Sequence, residues 1–336
     1  MSYYLLPAAQ SSLTRVARRS APALSTYLVV GSYEFSLHTH VLSLHDYSML
    51  LRLLSCLIFV GSLISSLAMA QAQVAPRRAV WLWDTPSIAH ASNDLLKFAA
   101  LKNVGTIYLQ INMGVDDSVY QCFISAASSQ NITVDALMGA PTWVLPAQER
   151  RVQDTLDWVT TYQNASRSGQ RFAGIHFDIE PYLLPEWKTS QSTVVAGWQE
   201  VARKLVTTAR LLNVPASADI PFWLHTIRTA DSSGTLDRWM IQKCDSVTVM
   251  AYRNSCAGVL DIARTALMQG NAAGRPVWLG IETVASAEGR HISFAEFDEE
   301  YVEKQLADVE RTASSTPSFA GVAVHDYAGW RALVTR

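Results

Sequence analysis

Phe172-Ala-Gly-Ile-His-Phe-Asp-Ile-Glu-Pro-Tyr182 reads as one buried strand that carries carboxylates out at its end. Side chains alternate across a strand, so His176, Asp178 and Glu180 share one face while Ile175, Phe177 and Ile179 share the other. Burying three ionisable groups in a row is costly unless they are paired or line a site. Pro181 biases Glu180 towards extended backbone and helps to stop the strand, which leaves Glu180 at the rim of whatever the strand lines. The competing account is an ion-pair cluster that only holds the core. Carboxylates in a row on a strand's inner face point instead to a working site.

The same kind of segment recurs along the chain. Apolar, β-rich runs at 78–85, 104–112, 132–140, 214–222, 245–253, 276–284 and 319–327 join 172–180 as expected strands. Helical patterns separate them, at about 92–102 with Ser92 as the cap, then at about 116–129, 147–164, 194–212, 236–243 and 259–269. Ser293 with Glu296 has the spacing of a capping box, which predicts a helix behind it to about Ser314. Eight strands alternating with helices over about 260 residues predict an α/β fold, a single (β/α)8 TIM barrel. The strands are near-continuous apolar runs, as parallel strands covered on both faces should be. A doubly wound open sheet is the alternative. It usually carries a glycine-rich turn after its first strand, where this chain has Trp83-Asp84-Thr85-Pro86-Ser87.

The 336 residues suit one large domain and a targeting segment. Met49 opens a stretch with one arginine, a long apolar and small-residue run, and Ala68-Met69-Ala70 before Gln71. That is the pattern of a secretory signal over 49–70, preferred to a membrane anchor because it ends in a cleavage site. Residues 1–48 then form an upstream extension or a mis-assigned start, and 71–336 the barrel. A secreted or periplasmic protein is expected. The mature portion carries 23 basic and 27 acidic residues, a net of −4, with no basic run to suggest nucleic acid. Cys244 and Cys256 flank a predicted strand and are too far apart to bridge, so no structural disulfide is expected. Asn131-Ile-Thr133 and Asn164-Ala-Ser166 match the glycosylation triplet. A monomer is expected.

In a TIM barrel the active site forms at the carboxyl ends of the strands, which turns the strand list into a candidate list. Asp84 ends the first strand; Gln110 and Asn112 end the second. The fourth offers His176, Asp178 and Glu180, and the fifth Asp219 as a rim residue. Met250, Tyr252 and Arg253 end the sixth, Glu282 the seventh, and His325 and Asp326 the eighth. Trp143, Trp187, Trp223 and Trp330 fall in or near loops on the same side, whereas Trp81, Trp158, Trp198 and Trp239 read as packing. Trp330 stands open between the two. Carboxylates ringed by aromatics and amides suit sugars, which present apolar C–H faces and polar edges.

Gly174-Ile-His-Phe-Asp-Ile-Glu180 resembles the strand-four signature of the chitinase-like glycoside hydrolases, family eighteen, which reads D-G-x-D-x-D-x-E. Gly174, Asp178 and Glu180 match it; Ala173 and His176 stand where the family has its first two Asp residues. Met250-Ala-Tyr252 resembles the family's strand-six M-x-Y, and Gly321-Val322 its strand-eight G-V-M-x-W without the Trp. The resemblance covers three short segments. It implies a TIM-barrel glycosidase acting on a carbohydrate polymer or glycan, with no cofactor and no metal. In chitinase-like lectins the acid Glu is typically lost, so its presence here favours an enzyme.

Two mechanisms follow. In one, Glu180 protonates the glycosidic oxygen, Asp178 orients a substrate N-acetyl group that supplies the nucleophile, Tyr252 binds the acetamido oxygen, and His176 sets the protonation of Asp178. In the other, Glu180 is acid and base and Glu282 is the nucleophile, unless Glu282 only pairs with Arg253. A mutual ion pair is the plain account of His325 and Asp326. A non-catalytic carbohydrate-binding barrel is the main alternative class. A metal-dependent hydrolase using Asp84, His176, Asp178 and His325 is a third, though no ligand spacing supports it.

Overall fold

The computed structural model describes residues 78–334; the extension and leader expected over 1–48 and 49–70 lie outside the described residues. Eight parallel strands form where the apolar runs predicted them. They are β1 (Arg78–Leu82), β2 (Val104–Gln110), β3 (Thr133–Met138), β4 (Gly174–Phe177), β5 (Ala216–Pro221), β6 (Ser246–Met250), β7 (Val277–Glu282) and β8 (Phe319–His325). They hydrogen-bond in sequence order, and β8 closes on β1 through Ala79 opposite Ala323 and Val80 opposite Val324. The fold is a single (β/α)8 TIM barrel.

Alternation sorts each strand into two faces. Val80, Leu82, Ile107, Leu109, Ile175 and Phe177 point outward into the main apolar core, which they share with the surrounding helices. The inward faces carry a much smaller apolar cluster of Ala79, Trp81, Tyr108, Leu137 and Ala323. The rest of the interior is unusually polar, with His176, Ser217, Asp219 and Thr248 all buried. The outer core therefore supplies most of the apolar burial that drives folding, and the lumen holds a polar network.

Helices follow the expected positions with small shifts, the longest being Gln191–Leu211. Two expected caps are corrected. Ser92 is the first residue of its helix, not the cap, which is Ala91. The last long helix runs Glu299–Ala313, and its cap is Asp298, whose carboxylate accepts from the Tyr301 N–H at 2.8 Å. Ser293 instead belongs to a loop laid along β7, where the Phe294 N–H donates to the Glu282 carbonyl at 2.8 Å.

At the amino ends of the strands, Arg78 donates to Glu303 at 2.6 Å and to Glu310 at 2.7 Å, and Lys102 reaches Glu303 at 2.7 Å. Trp330, 1 % exposed, lies within cation–π reach of both cations. It is a packing residue. Asp326 is corrected as well: its carboxylate caps the terminal helix Tyr327–Val334 by accepting from the Gly329 N–H at 2.8 Å, and it makes no ion pair with His325.

One glycine sets the approach of β3 to β4. Gly139 has φ +149°, and a Cβ there would lie 1.8 Å from the Asp178 carbonyl oxygen. Only glycine fits both constraints. Gly139→Ala is expected to lower stability by about 3 kcal/mol in urea unfolding. Gly234→Ala, where nothing lies within 4 Å, should stay within about 0.5 kcal/mol of the parent.

Candidate active site

β4 leaves the sheet after Phe177, although the Asp178 N–H still bonds the Met138 carbonyl at 3.0 Å. Pro181–Leu183 then forms a single 3-10 turn. Asp178 stays at the lumen wall, and Glu180 is lifted to the mouth. A cavity of about 300 Å³ opens there. Asp178, Glu180, Tyr252, Glu282 and His325 line its floor, and Tyr182, Trp223, Arg253 and Glu288 its outer wall.

The two carboxyls of β4 both hold their protons unusually well. Burial pushes the Asp178 pKa well up, and the nearby charges of Asp219 and Glu180 push it further. One Asp178 oxygen, Oδ1, is buried without a hydrogen-bond partner among the described residues. Burial also raises Glu180; the Tyr182 hydroxyl, which donates to Glu180 Oε1, works against this, while Asp219 adds to it. Buried carboxyls this close do not both ionise readily.

Glu282 has a different environment. His325 Nδ1 lies 3.0 Å from its Oε2 and 3.2 Å from its Oε1, and the Val284 N–H donates to Oε1 at 2.7 Å. Trp83 Nε1 donates to His325 Nε2 at 2.9 Å. An indole N–H can only donate, so the His325 ring proton sits on Nδ1 and is shared with Glu282. Burial works to lower the His325 pKa, but Glu282 outweighs it and leaves it raised. Glu282 thus pairs with His325. The expected pairing with Arg253 is corrected: Arg253 donates to the Tyr252 carbonyl at 2.6 Å and lies over the Phe222 ring. Tyr252 is half-buried at the cavity floor, and its partial burial and the nearby acid charges hold its hydroxyl protonated.

Other expected positions separate into three groups. Gln110, Asn112 and Trp143 line a neighbouring cavity of about 400 Å³ at the ends of β2 and β3, with Arg151 at its edge. His176 and Asp219 are too deep to touch a substrate, at 0 % and 3 % exposure. His176 Nε2 lies 2.9 Å from Asp219 Oδ1, off the straight line of a hydrogen bond, so it pairs with Asp219 and not with Asp178. Asp84 and Trp187 lie outside both cavities. Asp84 is exposed at the turn after β1, where its carbonyl accepts from Ser87. Trp187 packs in an aromatic cluster with Tyr182, Trp198 and Trp223. Sequence reasoning missed the Tyr182 hydroxyl on Glu180 and the Trp83 link to His325. Tyr182 had a signal, being two residues beyond the acid; Trp83 had only its place at a strand end. Among the described residues no group of three His, Cys, Asp or Glu side chains is disposed to hold a metal ion.

No protein-family model matches the chain, and no curated protein matches it. Similar solved structures include a chitinase from Bacteroides thetaiotaomicron, at 12 % identity over 75 % of this chain and 90 % of that one, TM-score 0.48. A mutant plant class V chitinase from Cycas revoluta, in complex with (GlcNAc)3, matches at 13 % identity over 76 % and 97 %, TM-score 0.48. The exo-beta-1,4-mannosidase Op5Man5 from Opitutaceae bacterium strain TAV5 matches at 13 % over 74 % and 51 %, TM-score 0.47. The chain spans 66 % of one further chitinase domain and 68 % of another. It is thus similar, at low identity, to chitinases and related glycoside hydrolases.

Asp135 lies one layer below, and burial pushes its carboxyl up to about 6, with His176 working against the rise. A carboxyl with a raised folded pKa favours the native state below its unfolded value of about 3.9. That contribution is lost as pH climbs through about 6. The side chain keeps partial solvent access, which discounts the effect. Asp135→Asn should therefore gain about 1–2 kcal/mol relative to the parent between pH 4 and pH 7, read by urea unfolding at both pH values.

Proposed function

We propose that the chain is a glycoside hydrolase that uses Glu180 as general acid and acts on an N-acetylated glycan. The observation that carries this reading is the pair Asp178 and Glu180, both raised by burial, at the mouth of one barrel strand. A general acid must remain protonated near its working pH, and burial beside a second carboxyl is the usual way to achieve that.

The chemistry runs as follows. Glu180 gives its proton to the glycosidic oxygen as the bond from that oxygen to C1 breaks. The carbonyl oxygen of the sugar's own acetamido group closes on C1 from the other face, forming a cyclic oxazolinium and releasing the leaving sugar as an alcohol. Asp178 accepts from the acetamido N–H, and the Tyr252 hydroxyl donates to its oxygen. Water then attacks C1, ionised Glu180 takes the water's proton, and the ring opens to give the product with retained configuration.

Glu282 is the weaker candidate for nucleophile, because His325 and the Val284 N–H already engage both its oxygens. The adjoining cavity with Gln110, Asn112 and Trp143 offers room for a neighbouring sugar, so the substrate is read as a polymer or glycan. The leader expected over 49–70 would send the enzyme out of the cytoplasm.

Glu180→Gln should lower turnover at least about a hundredfold on a panel of polysaccharides with and without N-acetyl groups. Activity should persist above pH 4.5 and fall as pH rises through the raised Glu180 value. Asp178→Asn removes the acceptor proposed for the acetamido N–H and should lower turnover on the same panel. Glu282→Gln should retain measurable turnover if the substrate supplies the nucleophile; its complete loss would transfer that role to Glu282. If neither wild type nor Glu180→Gln cleaves any polymer and both bind a glycan equally, the protein is a carbohydrate-binding barrel.

A further inference from the structure

Beneath the proposed acid pair lies a buried assembly that the mechanism above leaves unused. Register sets it up. β4 and β5 pair His176 with Ser217 and Phe177 with Ala218, so the next inward positions, Asp178 and Asp219, are lateral neighbours. Asp219 is 3 % exposed and His176 is fully buried. Trp81 crosses the lumen from β1 and donates its Nε1–H to Asp219 Oδ2 at 3.0 Å. His176 Nε2 lies 2.9 Å from Asp219 Oδ1. The other imidazole nitrogen, Nδ1, is 2.7 Å from Ser217 Oγ, and the Tyr108 ring stacks on the imidazole with centroids 3.7 Å apart. The ring is therefore held in plane and in place.

We infer that Asp219, fixed in place by the Trp81 indole and the clamped His176, is a positioning residue: its carboxylate is the anchored neighbour on which the work of Asp178 and Glu180 as an acid pair depends. This rests on the glycosidase reading only for its consequence in catalysis. An indole N–H can do nothing but donate, so it fixes the orientation of the carboxylate that accepts from it. A carboxylate anchored in this way leaves the next carboxyl along the wall to carry the proton.

The neighbouring groups agree in sign. The Asp219 charge favours the protonated form of Asp178, of Glu180 and of Tyr252. It acts the same way on Tyr182 above and Tyr108 below. From β8 it joins Glu282 in favouring protonated His325. From β3, Asp135 faces His176, and Glu288, which lines the cavity, adds its charge to the rise of Glu180. Asp219 is thus a charge common to the raised groups on or at the ends of β2, β4, β6 and β8. The family resemblance has Asp at the position of His176, so this arrangement belongs to this chain.

The test follows Asp178 and Glu180 directly, by NMR titration of ¹³C-carboxyl-labelled purified full-length chain, and needs no substrate. Asp219→Asn should move the titration of both carboxyls down by about one unit or more, and the alkaline limb of any activity should move with it, about tenfold in rate per unit at pH values above the limb. Trp81→Phe keeps the Asp219 charge but removes one of its donors. The carboxylate is then free to turn away from the pair, and the same titrations should move down by a smaller amount. This second variant decides the matter if Asp219→Asn does not fold. If the folded variants leave both titrations within a few tenths of wild type, Asp219 is a packing partner and the inference is overturned. If the titrations move while Glu180→Gln keeps full activity, the glycosidase reading fails and the role of Asp219 stands.

Discussion

Two carboxyls on one strand wall, Asp178 and Glu180, are both held above the usual carboxylate range by burial and neighbouring charge. The features around them serve that constraint. The sheet contact of Gly139 against the Asp178 carbonyl sets where the first carboxyl sits. The turn at Pro181 lifts the second to the mouth. The Trp81–Asp219–His176 assembly occupies the layer below, where a TIM barrel more often packs branched aliphatic residues. Buried polar groups are usually hydrogen-bonded; here the Trp81 indole donates to Asp219 Oδ2 and the Ser217 hydroxyl meets His176 Nδ1, while His176 Nε2 and Asp219 Oδ1 face each other off the line of a hydrogen bond.

Separating the apolar shell from the polar lumen divides the structural duties. The outward strand faces and the helices bury most of the large side chains, and the closure of β8 on β1 leaves no exposed sheet edge. At the amino ends, Arg78 and Lys102 are tied to three glutamates of one helix, Glu299, Glu303 and Glu310, or through Glu303 to each other. At the carboxyl ends the groups with raised pKa gather. The two ends of the barrel thus carry opposite electrostatic characters: satisfied ion pairs at one, reluctant acids at the other.

The barrel was legible in the sequence because strand and helix periods differ and repeat eight times. Inward and outward faces were legible too: Ile175 and Phe177 lie in the outer core and His176 in the lumen, as alternation requires. Depth was not. Alternation tells which way His176 and Asp219 point, not how many layers lie between them and solvent, so Asp219 reads from sequence as a rim residue although it lies deep. Partners across the barrel were equally hidden. Glu282 could be expected to pair, but whether with Arg253 or His325 depends on side-chain directions at three strand ends. Ser293 with Glu296 had the spacing of a helix cap, yet β7 recruits that segment as a bridge, and Asp298 caps instead. Local patterns lose where tertiary hydrogen bonds compete for the same groups.

The Tyr182 hydroxyl sits on Glu180 Oε1 from only two residues away, on the same turn. Its donor takes a lone pair of that oxygen, which favours the acidic hydrogen on Oε2. In the glycosidase proposed above, a leaving-group oxygen would then be met from that edge. The handedness of such an approach would be written into the turn before a substrate arrives.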